Sequence, residues 1–371
     1  MLIAAQTPAR AGIATRAALI GAALVLALAV AALAGARYGW LLLVGLGFGI
    51  ALEGLRFGFA GPWRAMILRR EGGGILAQLL AIALVAVVAF PLLASFPDEI
   101  LGAHAPVGFA MIGGAFVFGA AMQIVLGCGS GTLVNAGSGN AVSLVALPFF
   151  AIGSFLGASH LFWWTGLGSL PVVALAGGSG LGVTLAGLAG LAALVWWRAT
   201  PEGRVLPRRL MLAALAVAGL AVLNLMIAGQ PWGVVYGLGL WVAKGASLVG
   251  ADLAANPFWG AAGNQARLAQ SLLTDVTSLT NIGIIGGAFL VTVWRGGLSQ
   301  PLQRLPRRAW VAAVIAGLAL GYASRLAFGC NVGAFFSGIS TGSLHGWVWF
   351  AAAFLGSVVG VRLRRSLGFE G

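Results

Sequence analysis

Gly119-Ala120-Ala121-Met122-Gln123-Ile124-Val125-Leu126-Gly127-Cys128-Gly129-Ser130-Gly131 returns 202 positions later as Gly321-Tyr322-Ala323-Ser324-Arg325-Leu326-Ala327-Phe328-Gly329-Cys330-Asn331-Val332-Gly333. Both copies follow G-x7-G-C-x-x-G, and together they hold both cysteines of the chain. Each is followed by a Gly/Ser-rich stretch and then by an apolar segment, with Gly153-Ser154-Phe155-Leu156-Gly157 in the first and Gly356-Ser357-Val358-Val359-Gly360 in the second. Upstream, Gly45-Leu46-Gly47 has a counterpart in Gly237-Leu238-Gly239. A pattern this long marks an internal duplication. Its copies span about 39–197 and about 209–363 within one membrane domain, residues 1–371.

The solvent around this duplication is lipid. Of 371 residues, 60% are hydrophobic and 8% charged, with a mean hydropathy of +1.01. A soluble domain carries roughly 25% charged residues, and no water-shielded core absorbs such an apolar excess. Apolar segments fall at about 17–36, 39–60, 73–95, 107–126, 141–160, 180–197, 209–229, 231–251, 276–294, 309–327 and 346–363. At roughly 20 residues per span, the length suits about ten crossings of an all-α polytopic membrane protein. The first segment follows Arg10 and Arg16 and exceeds the roughly 7–15 residues of a signal-peptide core, so it reads as a retained span.

The net charge of +13 is no nucleic-acid footprint, because the arginines cluster in short loops. These clusters are Arg64/Arg69/Arg70, Arg198/Arg204/Arg208/Arg209, Arg295/Arg304/Arg307/Arg308 and Arg362/Arg364/Arg365, while the 96–106 loop holds Asp98 and Glu99. Basic loops face the cytoplasm. Basic residues near both ends then require an even number of crossings, whereas eleven segments are visible. One of them fails to span, and 161–197 and 209–251 are where a short piece is expected. The stretch 252–275, with Asp252, Asn256, Asn264, Gln265, Arg267 and Asp275, reads as a loop or surface helix.

The placement of basic loops around the two copies differs, which predicts that equivalent helices cross in opposite directions. Such inverted repeats put a substrate site near the midplane, at discontinuous helices. The stretches 127–140 and 329–346 are the candidates for re-entrant loops or half-helices, since irregular backbone survives at membrane depth only beside protein or a water-filled cavity. The pathway residues expected there are Cys128, Gly127, Gly129, Ser130, Gly131 and Thr132 in one copy and Cys330, Gly329, Asn331, Gly333 and Ser337 in the other. A buried cysteine is ordinarily a small packed hydrophobe, but repetition at matched positions beside a polar loop argues for function. A thiol is a weak donor and a soft acceptor, suited to touching an ion that must also leave. Half-helix N-termini add unpaired N–H groups and a positive dipole end. Hydroxyls in such segments also commonly bond only their own backbone.

Charged contributors within the apolar segments are Glu53, Arg56, Lys244 and Arg325. Lys244 sits in the second half nearly where Glu53 sits in the first, so a structural ion pair is one reading and a functional charge the other. Arg325 either draws an anion inward or snorkels to the interface. His104, His160 and His345 lack ligand spacing, so no metal site and no cofactor are expected. Trp163, Trp164, Trp196, Trp197, Trp347 and Trp349 read as interfacial anchors.

The motif Gly329-Cys330-Asn331-Val332-Gly333-Ala334-Phe335-Phe336-Ser337-Gly338, continuing through Gly342-Ser343-Leu344-His345-Gly346-Trp347, resembles the YeeE/YedE family of sulfur transport proteins. Gly127-Cys128-Gly129-Ser130-Gly131-Thr132 matches as well, and the likeness runs from about 39 to 363. The resemblance implies thiosulfate uptake across the bacterial inner membrane through a pseudo-symmetric, nine-span fold. In it, short helices point at a central constriction where Cys128 and Cys330 relay the anion. The family's further cysteine in an R-F-C-F context is replaced here by Gly58, in Arg56-Phe57-Gly58-Phe59, which leaves another sulfur or selenium species open as substrate. A cytoplasmic sulfur-carrier protein is a candidate partner. The competing readings are a channel for a different solute and a membrane sulfurtransferase. The latter needs a base or cation beside its thiol, and only Arg325 is near in sequence. No G-x-x-x-x-G-K-[ST] loop is present to bind a nucleotide.

Overall fold

The structure, a computed structural model, describes residues 12–297 and 305–369. Arg10 and Arg304 lie outside the described residues. The helices are α1 (Ile13–Ala34), α2 (Ala36–Gly54), α3 (Ala60–Arg69), α4 (Gly73–Ser95), α5 (Phe109–Val125), α6 (Gly129–Gly137), α7 (Ala141–Ser159), α8 (Leu161–Thr165), α9 (Gly177–Arg198) and α10 (Arg208–Ala228). They continue with α11 (Val235–Leu248), α12 (Ala262–Ala269), α13 (Val276–Trp294), α14 (Arg307–Leu326), a π-turn at Asn331–Phe336 leading into α15 (Ser337–Ser340), and α16 (Leu344–Ser366).

Ten helices among the described residues are long and apolar enough to cross a membrane. They follow the apolar runs read from the sequence almost end for end. The exception is 231–251, which shortens to the 14 residues of α11 and leaves an even number of membrane-length helices among the described residues. Ten also exceeds the nine spans that the family resemblance implies. The N-terminal α1 packs against α2 with few residues buried, leaving Val25, Leu28 and Leu33 mostly exposed. Such a face is stable only in lipid. The chain is thus an all-α polytopic membrane protein. The polar stretch 252–275 forms the short α12 and a 3₁₀ turn at Leu272–Thr274.

Glycine decides which helices meet. A Cβ on Gly119 in α5 would lie 1.9 Å from the carbonyl oxygen of Ala353 in α16, and one on Gly356 would lie 1.9 Å from that of Phe116. Gly321 in α14 meets Phe150 O of α7 at 2.0 Å, and Gly153 meets Leu318 O at 2.2 Å. The repeated Gly-Ser-x-x-Gly elements are therefore backbone-to-backbone contacts, the means by which membrane helices gain dispersion energy where lipid removes the hydrophobic drive. The serine inside each turns to a carbonyl: Ser154 Oγ donates to Val235 O at 2.9 Å and Ser357 Oγ to Gly119 O at 3.1 Å.

The packing is reciprocal. Helix α5 lies along α16 while α14 lies along α7; α6 rests on α13 while α15 rests on α4. Aromatic rings fill the centre, where Trp63 touches Phe335, Trp349 and Phe350, and Phe48 stacks on Trp232 at 3.9 Å. Trp349 is fully buried, which corrects its reading as an interfacial anchor, because its position on α16 faces α3 and α5 rather than lipid. Trp163, Trp196 and Trp197 are exposed, as anchors must be.

Candidate functional site

Each cysteine stands at a break between a long and a short helix. Helix α5 ends at Val125, and Leu126 adopts a left-handed φ of +54°; α14 ends at Leu326, and Phe328 adopts +55°. A non-glycine residue there is strained, and it recurs two positions before each cysteine. The chain then turns through Gly127 or Gly329 and starts a new helix immediately after the sulfur. Cys128 caps α6: its Sγ accepts from the Gly131 N–H at 3.4 Å and lies 3.5 Å from Ser130 Oγ. Cys330 holds the equivalent place before the π-turn at Asn331. Both thiols are free and buried.

The two motifs meet. A Cβ added to Gly129 would fall 2.6 Å from Cys330 Sγ and 3.5 Å from Val234. Gly329 is forced to be glycine by its φ of +152° and by Ala334 N, 2.7 Å from where a Cβ would stand. Gly333 meets nothing within 4 Å. Thr132 Oγ1 donates to Cys128 O at 2.8 Å and Ser337 Oγ to Trp232 O at 2.8 Å, so these hydroxyls brace the turns through backbone. Asn331 is different: it is fully buried, and neither carboxamide atom has a partner. A buried amide left this way costs free energy unless something polar reaches it.

Cys330 lines a cavity of about 430 Å³ with Gly102, His104, Gln230, Gly233, Tyr236, Phe258, Arg325, Gly329, Gly333 and His345. The half-buried Arg325 guanidinium lies over Phe258 at 4.8 Å and Tyr236 at 5.6 Å, held by their ring faces beside the thiol. Its side chain thus faces the cavity that Cys330 also lines. A second cavity, about 800 Å³, is lined by Arg64, Arg69, Arg364, Leu126, Asn135 and Asn140. His345 begins α16 and Arg364 ends it, so the two cavities open at opposite ends of a 23-residue helix, about 35 Å long. Outside the membrane-spanning helices, burial and the neighbouring Arg69 and Arg365 hold the Arg64 guanidinium below its ordinary pKa, a mark of dense positive charge at that end.

Glu53, Arg56 and Lys244 line neither cavity. Arg56 is exposed at a left-handed turn, and Lys244 Nζ donates to the carbonyls of Leu268, at 2.7 Å, and Gln270. Among the described residues no ion pair joins Glu53 to Lys244, since α2 and α11 present them to different neighbours. No trio of metal-ligating side chains occurs among the described residues. The sequence reading passed over Tyr236, Phe258 and Gln78, and took His345 only as a histidine without ligand spacing inside the family-like motif. Spacing carries no trace of His345, Tyr236 and Phe258 converging, which happens only in three dimensions. Gln78 had a signal, an amide alone in an apolar run. It accepts from Trp63 Nε1 at 3.0 Å and donates to Gly58 O at 2.8 Å, fixing the turn at Gly58.

Comparison with known proteins decides the family. The model of the sulphur transport family matches residues 55–359. The chain belongs to that family. It is similar to the thiosulfate transporter TsuA of Spirochaeta thermophila, 26% identical over 336 residues, covering 83% of this chain and 93% of that protein. It is also similar to the probable transporter YedE of Escherichia coli K12, 37% identical over 92 residues, and to that of Salmonella typhimurium, 38% identical over 90 residues. Those matches cover 25% and 24% of this chain but only 23% and 22% of the two YedE proteins, so the aligned stretch spans about a quarter of each.

Proposed function

We propose that this protein takes up an inorganic sulfur oxyanion, most simply thiosulfate, across the bacterial inner membrane through a pathway whose waist is formed by Cys128 and Cys330. One observation carries the reading: the turn that bears Cys128 packs its Gly129 on the sulfur of Cys330, which itself faces a cavity holding Arg325. The guanidinium attracts the anion, half-helix N-termini offer N–H groups to its oxygens, and polarisable thiols meet its terminal sulfur without trapping it. The basic cavity beyond, with Arg64, Arg69 and Arg364, then receives the ion on the cytoplasmic side. Similarity to TsuA over most of both chains supports thiosulfate as the substrate.

The reciprocal packing of α5 on α16 and α14 on α7 supports two inverted repeats within one domain. Among the described residues no basic side chain hydrogen-bonds either sulfur, which supports transport over thiolate catalysis. A cytoplasmic sulfur-carrier protein would be the acceptor of the delivered ion. The test is uptake of radiolabelled thiosulfate into proteoliposomes with no nucleotide present. The parent chain should accumulate label and the Cys128→Ser/Cys330→Ser double variant should not. Unchanged flux in the double variant would reject the mechanism, and selenosulfate as competitor would reveal a selenium preference.

A further inference from the structure

His345 is 1% exposed, the first turn of α16 presents it to the cavity that Cys330 also lines, and its Nε2 has no partner. Its Nδ1 lies 2.6 Å from Ser343 Oγ. A hydroxyl carries a single proton, and the structure gives Ser343 Oγ no other acceptor among the described residues. Donation from Ser343 to Nδ1 places every proton, and it leaves a neutral ring with its own proton on Nε2. The alternative, Nδ1–H donating to the hydroxyl, strands the serine proton in a buried site. A sealed Nε2–H donor is expensive to keep unless something accepts from it. None of the cavity's other polar groups accepts from it: His104 Nε2 is turned to Thr341 O at 2.9 Å, Gln230 Nε2 donates to Thr277 Oγ1 at 3.5 Å, the Tyr236 hydroxyl donates to Asn264 Oδ1 at 2.8 Å, and a guanidinium such as Arg325 has no acceptor atom.

We propose that His345 is a specificity-determining contact of the transport site: its Nε2–H binds an oxygen of the anion while Cys330 meets the sulfur end. Ser343 is then a positioning residue that fixes the tautomer. The buried Asn331, adjacent in sequence to Cys330, has no partner for either carboxamide atom. The consequence is chemical selection. An ion with hydrogen-bond-accepting oxygens at one end and a soft atom at the other satisfies both groups, whereas a species lacking the oxygens leaves the imidazole proton stranded.

This inference rests on the thiosulfate reading above, and two isosteric variants separate the two. Glutamine places an amide donor near the Nε2 position, whereas asparagine places it near Nδ1, where it still meets Ser343 but offers nothing to the cavity. In proteoliposomes of the full chain, His345→Gln should keep the thiosulfate KM within about threefold. His345→Asn should raise it by at least about tenfold with maximal rate little altered, the lower end of what a hydrogen bond to a charged group contributes. Equal KM values for both variants, raised or not, overturn the proposal while leaving thiosulfate transport standing. A parent chain that takes up no thiosulfate overturns both readings. Should neither histidine variant fold, Ser343→Ala decides: its KM must rise at least about threefold as the tautomer is released, and an unchanged KM overturns the assignment.

Discussion

Gly129 lies against the sulfur of Cys330, so that the smallest side chain at 129 would intrude to 2.6 Å from it. The two motifs of the duplication therefore close on one another through a hydrogen atom where any other residue would bring carbon. Gly129→Ala should obstruct the waist, cutting thiosulfate uptake by more than about tenfold, because the cost of displacing a packed neighbour by several tenths of an ångström is about 1–3 kcal/mol. Gly131→Ala is the matched control. Its Cβ would stand 3.5 Å from Cys128 Sγ, an ordinary contact, and uptake should stay within about threefold. Equal rates for the two variants would contradict a constriction at this point.

Close helix contact predicts a stability difference between glycines of a single helix. In α5, Gly119 has Ala353 O where a Cβ would be, whereas Gly113 meets nothing within 4 Å. Gly119→Ala should separate α5 from α16 and lower the apparent melting temperature in detergent, at a cost of about 2 kcal/mol or more. Gly113→Ala should be neutral or stabilising by up to about 1 kcal/mol, the helix propensity of alanine over glycine. Thermal unfolding of the two purified variants checks the ordering.

The span boundaries and the two helix breaks were legible because hydropathy in a bilayer is a direct physical constraint: a helix must be apolar for the thickness of the hydrocarbon. The glycines of the repeated motifs were legible for a different reason, since Gly119, Gly321, Gly356 and Gly153 each occupy a backbone contact that no larger residue can enter. What the sequence concealed is the composition of the cavity. Its His345, Tyr236 and Phe258 come from α16, α11 and the loop after it, and no spacing rule connects them. The partners of Lys244 were hidden for the same reason: a charge inside an apolar run reads as a functional charge or as half of an ion pair, and only the short α11 brings its ammonium to the carbonyls of Leu268 and Gln270.

This tether is testable. Lys244 Nζ ties α11 to the carbonyls of Leu268 and Gln270, fastening the segment around α12. Lys244→Met should remove these charged hydrogen bonds at a cost of about 1 kcal/mol, toward the lower limit for such bonds because the side chain is partly exposed. Proteolysis within 249–275 should accelerate, while thiosulfate uptake by intact protein stays within about twofold. A loss of uptake without faster cleavage would return Lys244 to the pathway.

Gly58 stands where the family resemblance implies a further cysteine, and there is space for one. A Cβ built on Gly58 meets nothing within 4 Å, its φ lies outside the left-handed region, and Gln78 already holds its carbonyl at 2.8 Å. The neighbouring Phe59 packs edge-on against Phe335 and Phe336, in the short-helix segment that follows Cys330. Gly58→Cys should therefore fold with an unchanged melting temperature, because its side chain displaces no neighbour and its backbone is compatible with any residue. If a third thiol extends the relay, the variant should transport thiosulfate at least as fast as the parent. A slower variant with intact folding would mean that the opening at Gly58 serves passage of the ion itself, and that this chain has exchanged a sulfur contact for width.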